Sequence, residues 1–198
     1  MVAEIYFKLL LIKMLLRESN NQMRKYVAFL RGINVGGKNK IKMEALRRMC
    51  DALGYENVKT YINSGNVIFE TVKTDEHKLV ALVEKAIETE FSLKIRVMAR
   101  TIDELKDIIK NNPFDGQFDS DKDLHVLFLN EKLPAEKREL LLGNNNENEQ
   151  FAVSNREIFC LLRDGFSGSL LGKDYIGKKL KISATARNWR TVNKILEL

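Results

Sequence analysis

The residues with the most evident chemical capacity lie between positions 31 and 40, RGINVGGKNK. Gly32-Ile-Asn-Val-Gly-Gly37-Lys38 fills the first seven positions of the phosphate-loop pattern, whose glycines free backbone N–H groups to face phosphate oxygens. The eighth position must supply a hydroxyl for magnesium, and here it is Asn39. The helix should begin at the lysine, yet Lys40-Ile41-Lys42 intervene, and no later strand ends in a convincing magnesium-binding aspartate. Nucleotide hydrolysis is therefore set aside. A simpler chemistry remains, in which Gly36 and Gly37 direct N–H groups at an anion, Arg31, Lys38 and Lys40 add charge, and the following helix adds its dipole. The same residues also suit a plain glycine-rich connection with solvated lysines.

A second candidate group is Arg187-Asn188-Trp189-Arg190, where an indole lies between two guanidinium groups. Arg187 and Asn188 would open the last helix, where an anion is welcome. Trp189, Val192, Ile195 and Leu196 fall at helical spacing, which also reads as a core anchor. A third is the turn Asn63-Ser64-Gly65-Asn66. The remaining titratable material is thin. Cys50 and Cys160 cannot make a disulfide scaffold or a four-ligand zinc site alone, and both read as core thiols. Glu44, Tyr61, His77 and His125 are conceivable acids or bases, but no spacing singles one out, so catalysis stays open. Asp119, Asp121 and Asp123 begin like a calcium loop, which then lacks its glycine at Leu124 and its glutamate at Asn130. No metal or cofactor is expected.

The elements that must position these groups follow from periodicity. Residues 25–30 read as a strand, and a helix from about Met43 to Leu53 carries Leu46, Met49, Cys50 and Leu53 on one stripe. Strands at 58–62 and 67–71 flank the 63–66 turn. A helix covers 76–91. A strand at 94–100 places Ile95, Val97 and Ala99 on one face and Lys94, Arg96 and Arg100 on the other, as phosphate contacts or a solvated face. This β-α-β-β-α-β order is the split βαβ pattern of ferredoxin-like domains. Thr101 and Glu104 make a capping box that opens a helix closed by Pro113. Residues 111–122 read as a junction. A second series follows, with a strand at 123–129, a helix at 134–142, a hairpin of 150–153 and 156–162, and helices near 173–181 and 188–197. It repeats β-α-β-β-α with its final strand missing or replaced.

The expected architecture is α+β, two ferredoxin-like βαββαβ-type halves in approximate duplication, over 23–112 and 113–198. Residues 1–22, MVAEIYFKLLLIKMLLRESNNQ, are read as an appendage. Lys8 and Lys13 make its apolar run too short to span a bilayer. It is an extension upstream of a working start at Met23, a helix docked in a groove, or an interfacial membrane helix.

The 198 residues carry 33 Lys and Arg against 27 Asp and Glu, a formal +6. The balance excludes a disordered chain and a membrane bundle. Residues 24–48 hold eight cations and one anion, 103–149 hold six cations and twelve anions, and 173–198 hold seven cations and two anions. Basic segments flanking an acidic middle point to a local anion site, or to solvated faces. Stacking of bases on sheet aromatics, as in RNA-recognition domains, is poorly matched, and Tyr26, Phe29, Tyr61 and Phe69 read as sheet core.

VAFLRGINVGGKNKIKMEALR, TYINSGNVIFE and ATARNWRTVNKI together resemble a bacterial family called domain of unknown function 1697, over all but the first 22 residues. The resemblance implies a compact protein of two ferredoxin-like halves and no established activity. Carried over by position, the family's signature polar residues match Arg31, Asn34, Lys38, Asn39, Asn63, Ser64, Asn66, Arg187, Asn188 and Trp189. The chain departs from the family at Ala186, where Thr is common, and at Arg190, where Asn is common. The functional expectation is a cytosolic protein binding a phosphorylated or anionic ligand through Arg31, Asn34, Gly36, Gly37, Lys38, Asn39, Asn63, Ser64, Asn66, Arg187 and Asn188. The ligand is a small anionic molecule or nucleic acid. A small metabolic enzyme and a non-catalytic interaction module are the alternatives, and the oligomeric state is open.

Overall fold

A computed structural model describes residues 22–198. The readings of the leader fall outside the described residues, apart from Gln22. The first half runs β1 (Met23–Leu30), α1 (Met43–Ala52), β2 (Glu56–Tyr61), β3 (Asn66–Val72), α2 (Glu76–Phe91), β4 (Val97–Thr101) and α3 (Ile102–Lys110). The second runs β5 (Leu124–Leu129), α4 (Ala135–Leu142), β6 (Glu149–Ser154), β7 (Glu157–Leu162), α5 (Tyr175–Lys178), β8 (Ala184–Asn188) and α6 (Trp189–Leu196). Each half builds a four-stranded antiparallel sheet, in the order β2-β3-β1-β4 and β6-β7-β5-β8. These are two ferredoxin-like halves with one topology.

The final strand of the second half is present, against expectation. Ala184–Asn188 pairs along β5 from Leu129↔Ala184 to His125↔Asn188. Its residues ATARN carry almost no apolar alternation, so local pattern cannot reveal it, and pairing with the fully buried β5 holds it in place. The crossover before it has contracted from the sixteen residues of α2 to the four of α5.

The central strands β1, β3, β5 and β7 are largely apolar on both faces because both faces are covered. Tyr26, Ala28, Leu30, Val67 and Phe69 face α1 and α2, meeting Leu46, Cys50, Leu79, Val83 and Ile87. Val27, Phe29, Ile68 and Met98 face the second sheet, meeting Val126, Phe128, Phe159, Leu161 and Trp189. At the centre of this inter-sheet core, Phe29 stacks on Phe128 with ring centroids 4.1 Å apart. Leu127, Leu129, Ile158, Cys160 and Leu162 pack on the outer elements of the second half. The sheet aromatics Tyr26, Phe29 and Phe69 are core, leaving no open sheet face for stacking a base. Both thiols are buried, and burial pushes Cys50 up to about 12.

The helix starts follow local chemistry. Asp75 caps α2 by accepting from the Lys78 N–H at 3.0 Å, and Thr101 with Glu104 forms the capping box of α3. Among the described residues no helix is long and apolar enough to cross a membrane.

Candidate phosphate site beside the inter-half arginine

Residues 31–42 connect β1 to α1. The corresponding connection in the second half, between β5 and α4, is residues 130–134. The fold therefore closes with five residues where the first half spends twelve. The longer connection is a small braced hairpin. Val35 and Lys38 pair, with the Lys38 N–H on the Val35 carbonyl at 3.0 Å. Gly36 and Gly37 take φ of 57° and 77°, the two positive values a mirror-image two-residue turn requires. Asn34 donates to the Ile41 and Asn63 carbonyls, both at 2.9 Å, and its Oδ1 accepts from the Ile41 N–H at 2.9 Å. Asn39 donates to the Gly32 carbonyl at 3.0 Å. Asn34 and Asn39 are thus spent on holding the hairpin and on tying it to the 63–66 turn. Gly36, Gly37, Lys38 and Lys40 lie exposed along it.

Below the hairpin α1 begins at Met43 without a side-chain cap. The first-turn carboxylate, Glu44, is drawn away to Arg48 at 2.9 Å. A depression of about 370 Å³ opens at this helix start, lined by Asn34, Gly37, Lys40, Lys42, Met43 and Asn63. Arg31, half-buried, extends from the base of the hairpin to the second half, where its Nη1 donates to Ser183 Oγ at 3.2 Å.

The 63–66 turn packs behind the hairpin. Gly65, at φ 76°, has no room for a side chain, since a Cβ would lie 2.7 Å from Ile33 Cδ1 and 2.8 Å from Leu30 Cβ. Asn66 is fully buried, donating to the Tyr61 carbonyl at 2.9 Å and to Ser64 Oγ at 3.2 Å. Its Oδ1 accepts from Arg187 Nε.

Arg187 lies on β8, not at the helix start, and is 6% exposed. Its guanidinium crosses between the halves. Nη1 donates to Thr185 Oγ1 and the Ala186 carbonyl, both at 2.7 Å, and Nη2 to the carbonyls of Leu30, Ser64 and Gly65 at 3.0–3.1 Å. Its Cζ stands 5.4 Å from the Phe29 ring centroid. Every acceptor is a neutral oxygen. Among the described residues Arg187 has no carboxylate within ion-pair distance, and burial pulls it down to about 9. It still carries its charge at neutral pH.

Arg100 occupies the equivalent place on β4, and its burial corrects the expectation of a solvated face. The Arg100 side chain is 1% exposed, because the second sheet covers the face on which a lone ferredoxin-like domain would leave it. Nη1 donates to Ala99, Nη2 to the Leu129 and Arg156 carbonyls, and Cζ stands 5.8 Å from the Phe128 centroid. The two clamps share three carbonyl contacts, Ala99 with Ala186, Leu129 with Leu30 and Arg156 with Gly65, and differ most at the side chain that meets Nε. Where Arg187 meets Asn66, Arg100 meets Glu157 at 2.7 Å, and its Nη1 also lies 3.7 Å from Glu76. Arg156 binds Glu76 and Glu104 alongside, its pKa raised chiefly by the Glu76 hydrogen bond. One clamp is neutralised inside the protein and the other is left cationic beneath the hairpin.

The structure thus brings Arg31, Asn34, Gly36, Gly37, Lys38, Asn39, Asn63, Ser64, Asn66 and Arg187 into one region. Asn188 is separate, since it caps α6 by accepting from the Thr191 N–H at 3.0 Å. Trp189 is buried in a T-shaped contact with Phe118. Sequence reasoning missed Glu157 and Ser183, took Lys42 only as an interruption of the loop pattern, and placed Arg100 on an open face. Aligning the two hairpins would have set Glu157 against Asn66. Nothing local marks Ser183. His77 is exposed on α2 and His125 is buried on β5. Among the described residues no group of three or more His, Cys, Asp or Glu could hold a metal ion.

Comparison with known proteins agrees with this architecture. The family described as Protein of unknown function (DUF1697) matches residues 23–159. The solved structure of the conserved bacterial protein SP0830 from Streptococcus pneumoniae superposes with a TM-score of 0.72 at 26% identity, over 88% of this chain and 98% of that one. No curated protein matches the chain. With the family pattern spanning both the glycine hairpin and the first strands of the second half, the chain belongs to the DUF1697 family of proteins of unknown function.

Proposed function

We propose that the protein binds a phosphate-bearing ligand between the 31–42 hairpin and the start of α1. The observation that carries this reading is Arg187, a buried guanidinium without a carboxylate partner directly behind the 63–66 turn. A buried charge that its own structure does not neutralise projects its field to the nearest surface. That surface bears Lys38, Lys40, Lys42 and an uncapped helix start, and Arg31 stands at its edge. Backbone N–H groups at a helix start and a glycine turn suit the oxygens of a phosphate. The duplicated half gives the contrast, because there the arginine is neutralised and the hairpin is absent.

The test is calorimetric titration of the full chain with inorganic pyrophosphate, set against Arg31→Ala/Lys38→Ala. Both side chains lie outside the core, so the variant should keep its melting temperature and lose at least tenfold in affinity. A variant that binds pyrophosphate as tightly as the parent places the site elsewhere.

A further inference from the structure

We infer that the ligand is a nucleic-acid strand long enough to cross from the first half to the second, an extension that rests on the phosphate reading above. Arg31 is the junction. It begins at the base of the glycine hairpin and ends on Ser183, 152 residues later in the chain. Ser183 borders a second depression of about 240 Å³, lined also by Asn130, Lys132 and Lys181, with Glu131 as its one carboxylate. Lys178 and Lys179, at the end of α5, stand exposed one turn before it. Lys40 and Lys42 line the first depression and Lys132 and Lys181 the second, and the Arg31 guanidinium reaches from the hairpin base to Ser183 on the rim of the second. Among the described residues none of Arg31, Lys40, Lys42, Lys132, Lys178 or Lys181 forms an ion pair with a carboxylate.

A single mononucleotide would occupy one depression and leave the other cations idle. A chain of phosphodiesters places one charge at each, and the counterions released give binding that falls steeply with salt. An acidic polypeptide carries comparable charge, but its planar carboxylates make poorer use of the glycine turn and helix start than phosphate does.

Fluorescence anisotropy of labelled oligothymidylates of four, eight and sixteen nucleotides, at several salt concentrations, tests this with the full chain. Affinity should rise with length. The variant Lys178→Ala/Lys179→Ala/Lys181→Asn should lose about tenfold for the sixteen-mer and reduce the salt slope by about two, the change for three phosphate contacts on a single strand. Asn is used at 181 because Lys181 sits at φ 53°, which Asn tolerates. Pyrophosphate binding should be unchanged in this variant. Pyrophosphate binding without a gain from longer strands, or a triple variant that binds the sixteen-mer like the parent, overturns the inference and leaves the phosphate site standing. Polyglutamate binding as tightly as the sixteen-mer also overturns it, reassigning the stripe to acidic protein. Failure of pyrophosphate itself removes the phosphate reading.

Discussion

Arg100 and Arg187 occupy the same place in the two halves, each reaching across to the other half's hairpin and the last carbonyl of its central strand, yet only Arg100 meets a carboxylate. The first half carries Asn66 where the second carries Glu157, and its neighbouring connection is the longer one, tied to the same turn by Asn34.

The first consequence is energetic. Glu157→Gln keeps the shape of the side chain and removes the charge opposite Arg100. Breaking one partner of a buried pair leaves the other uncompensated, at about 3–5 kcal/mol. Urea unfolding of the full chain should show a loss of about 3 kcal/mol. A loss below about 1 kcal/mol would mean that the carbonyls and Glu76 hold Arg100 without Glu157.

Ile62 offers a change in the opposite direction. This β-branched residue has φ 48° and is 48% exposed, so its strained backbone is not matched by burial. Left-handed geometry costs a branched residue about 1–2 kcal/mol, and Asn tolerates it better. Ile62→Asn should stabilise the protein by about 1 kcal/mol in the same unfolding experiment. Destabilisation would show that Ile62 packs to a benefit exceeding its strain.

His125 sets a pH dependence. Burial lowers its pKa in the folded state, with Asp123 opposing, and its Nδ1 has no partner. The unfolded chain then binds the proton more readily than the folded one, so stability rises with pH through this group. Its contribution is full above the ordinary histidine value of about 6.5 and is lost as pH falls through the lowered folded value. Unfolding free energies between pH 7 and pH 5 should fall less steeply for His125→Phe than for the parent. Equal slopes would assign the pH dependence to other groups.

Much of the fold was legible because its signals are local. The apolar run of β1, the turn at 63–66, the stripe of α1 and the capping box at Thr101 each depend on neighbours within a few residues. β8 was not legible, since ATARN becomes a strand only by pairing with β5. Arg100 was misplaced for a related reason. Alternation correctly put it opposite Ala99, but what covers that face comes from residues 124–161. The hairpin residues were identified by type and spacing. The feature that distinguishes the site, an arginine buried without an acid, depends on the contrast of Asn66 with Glu157 across 91 residues and has no local signature.

The most direct test of the account is the pyrophosphate titration repeated on Asn66→Asp, which installs the missing carboxylate beneath Arg187 without touching the surface. Folding must first be verified, since the new oxygen also faces the Tyr61 carbonyl. If the uncompensated charge of Arg187 makes the hairpin an anion site, pyrophosphate affinity falls by roughly three- to tenfold, about 0.7–1.4 kcal/mol for one partly screened unit charge. A folded Asn66→Asp protein that binds pyrophosphate as well as the parent would contradict it.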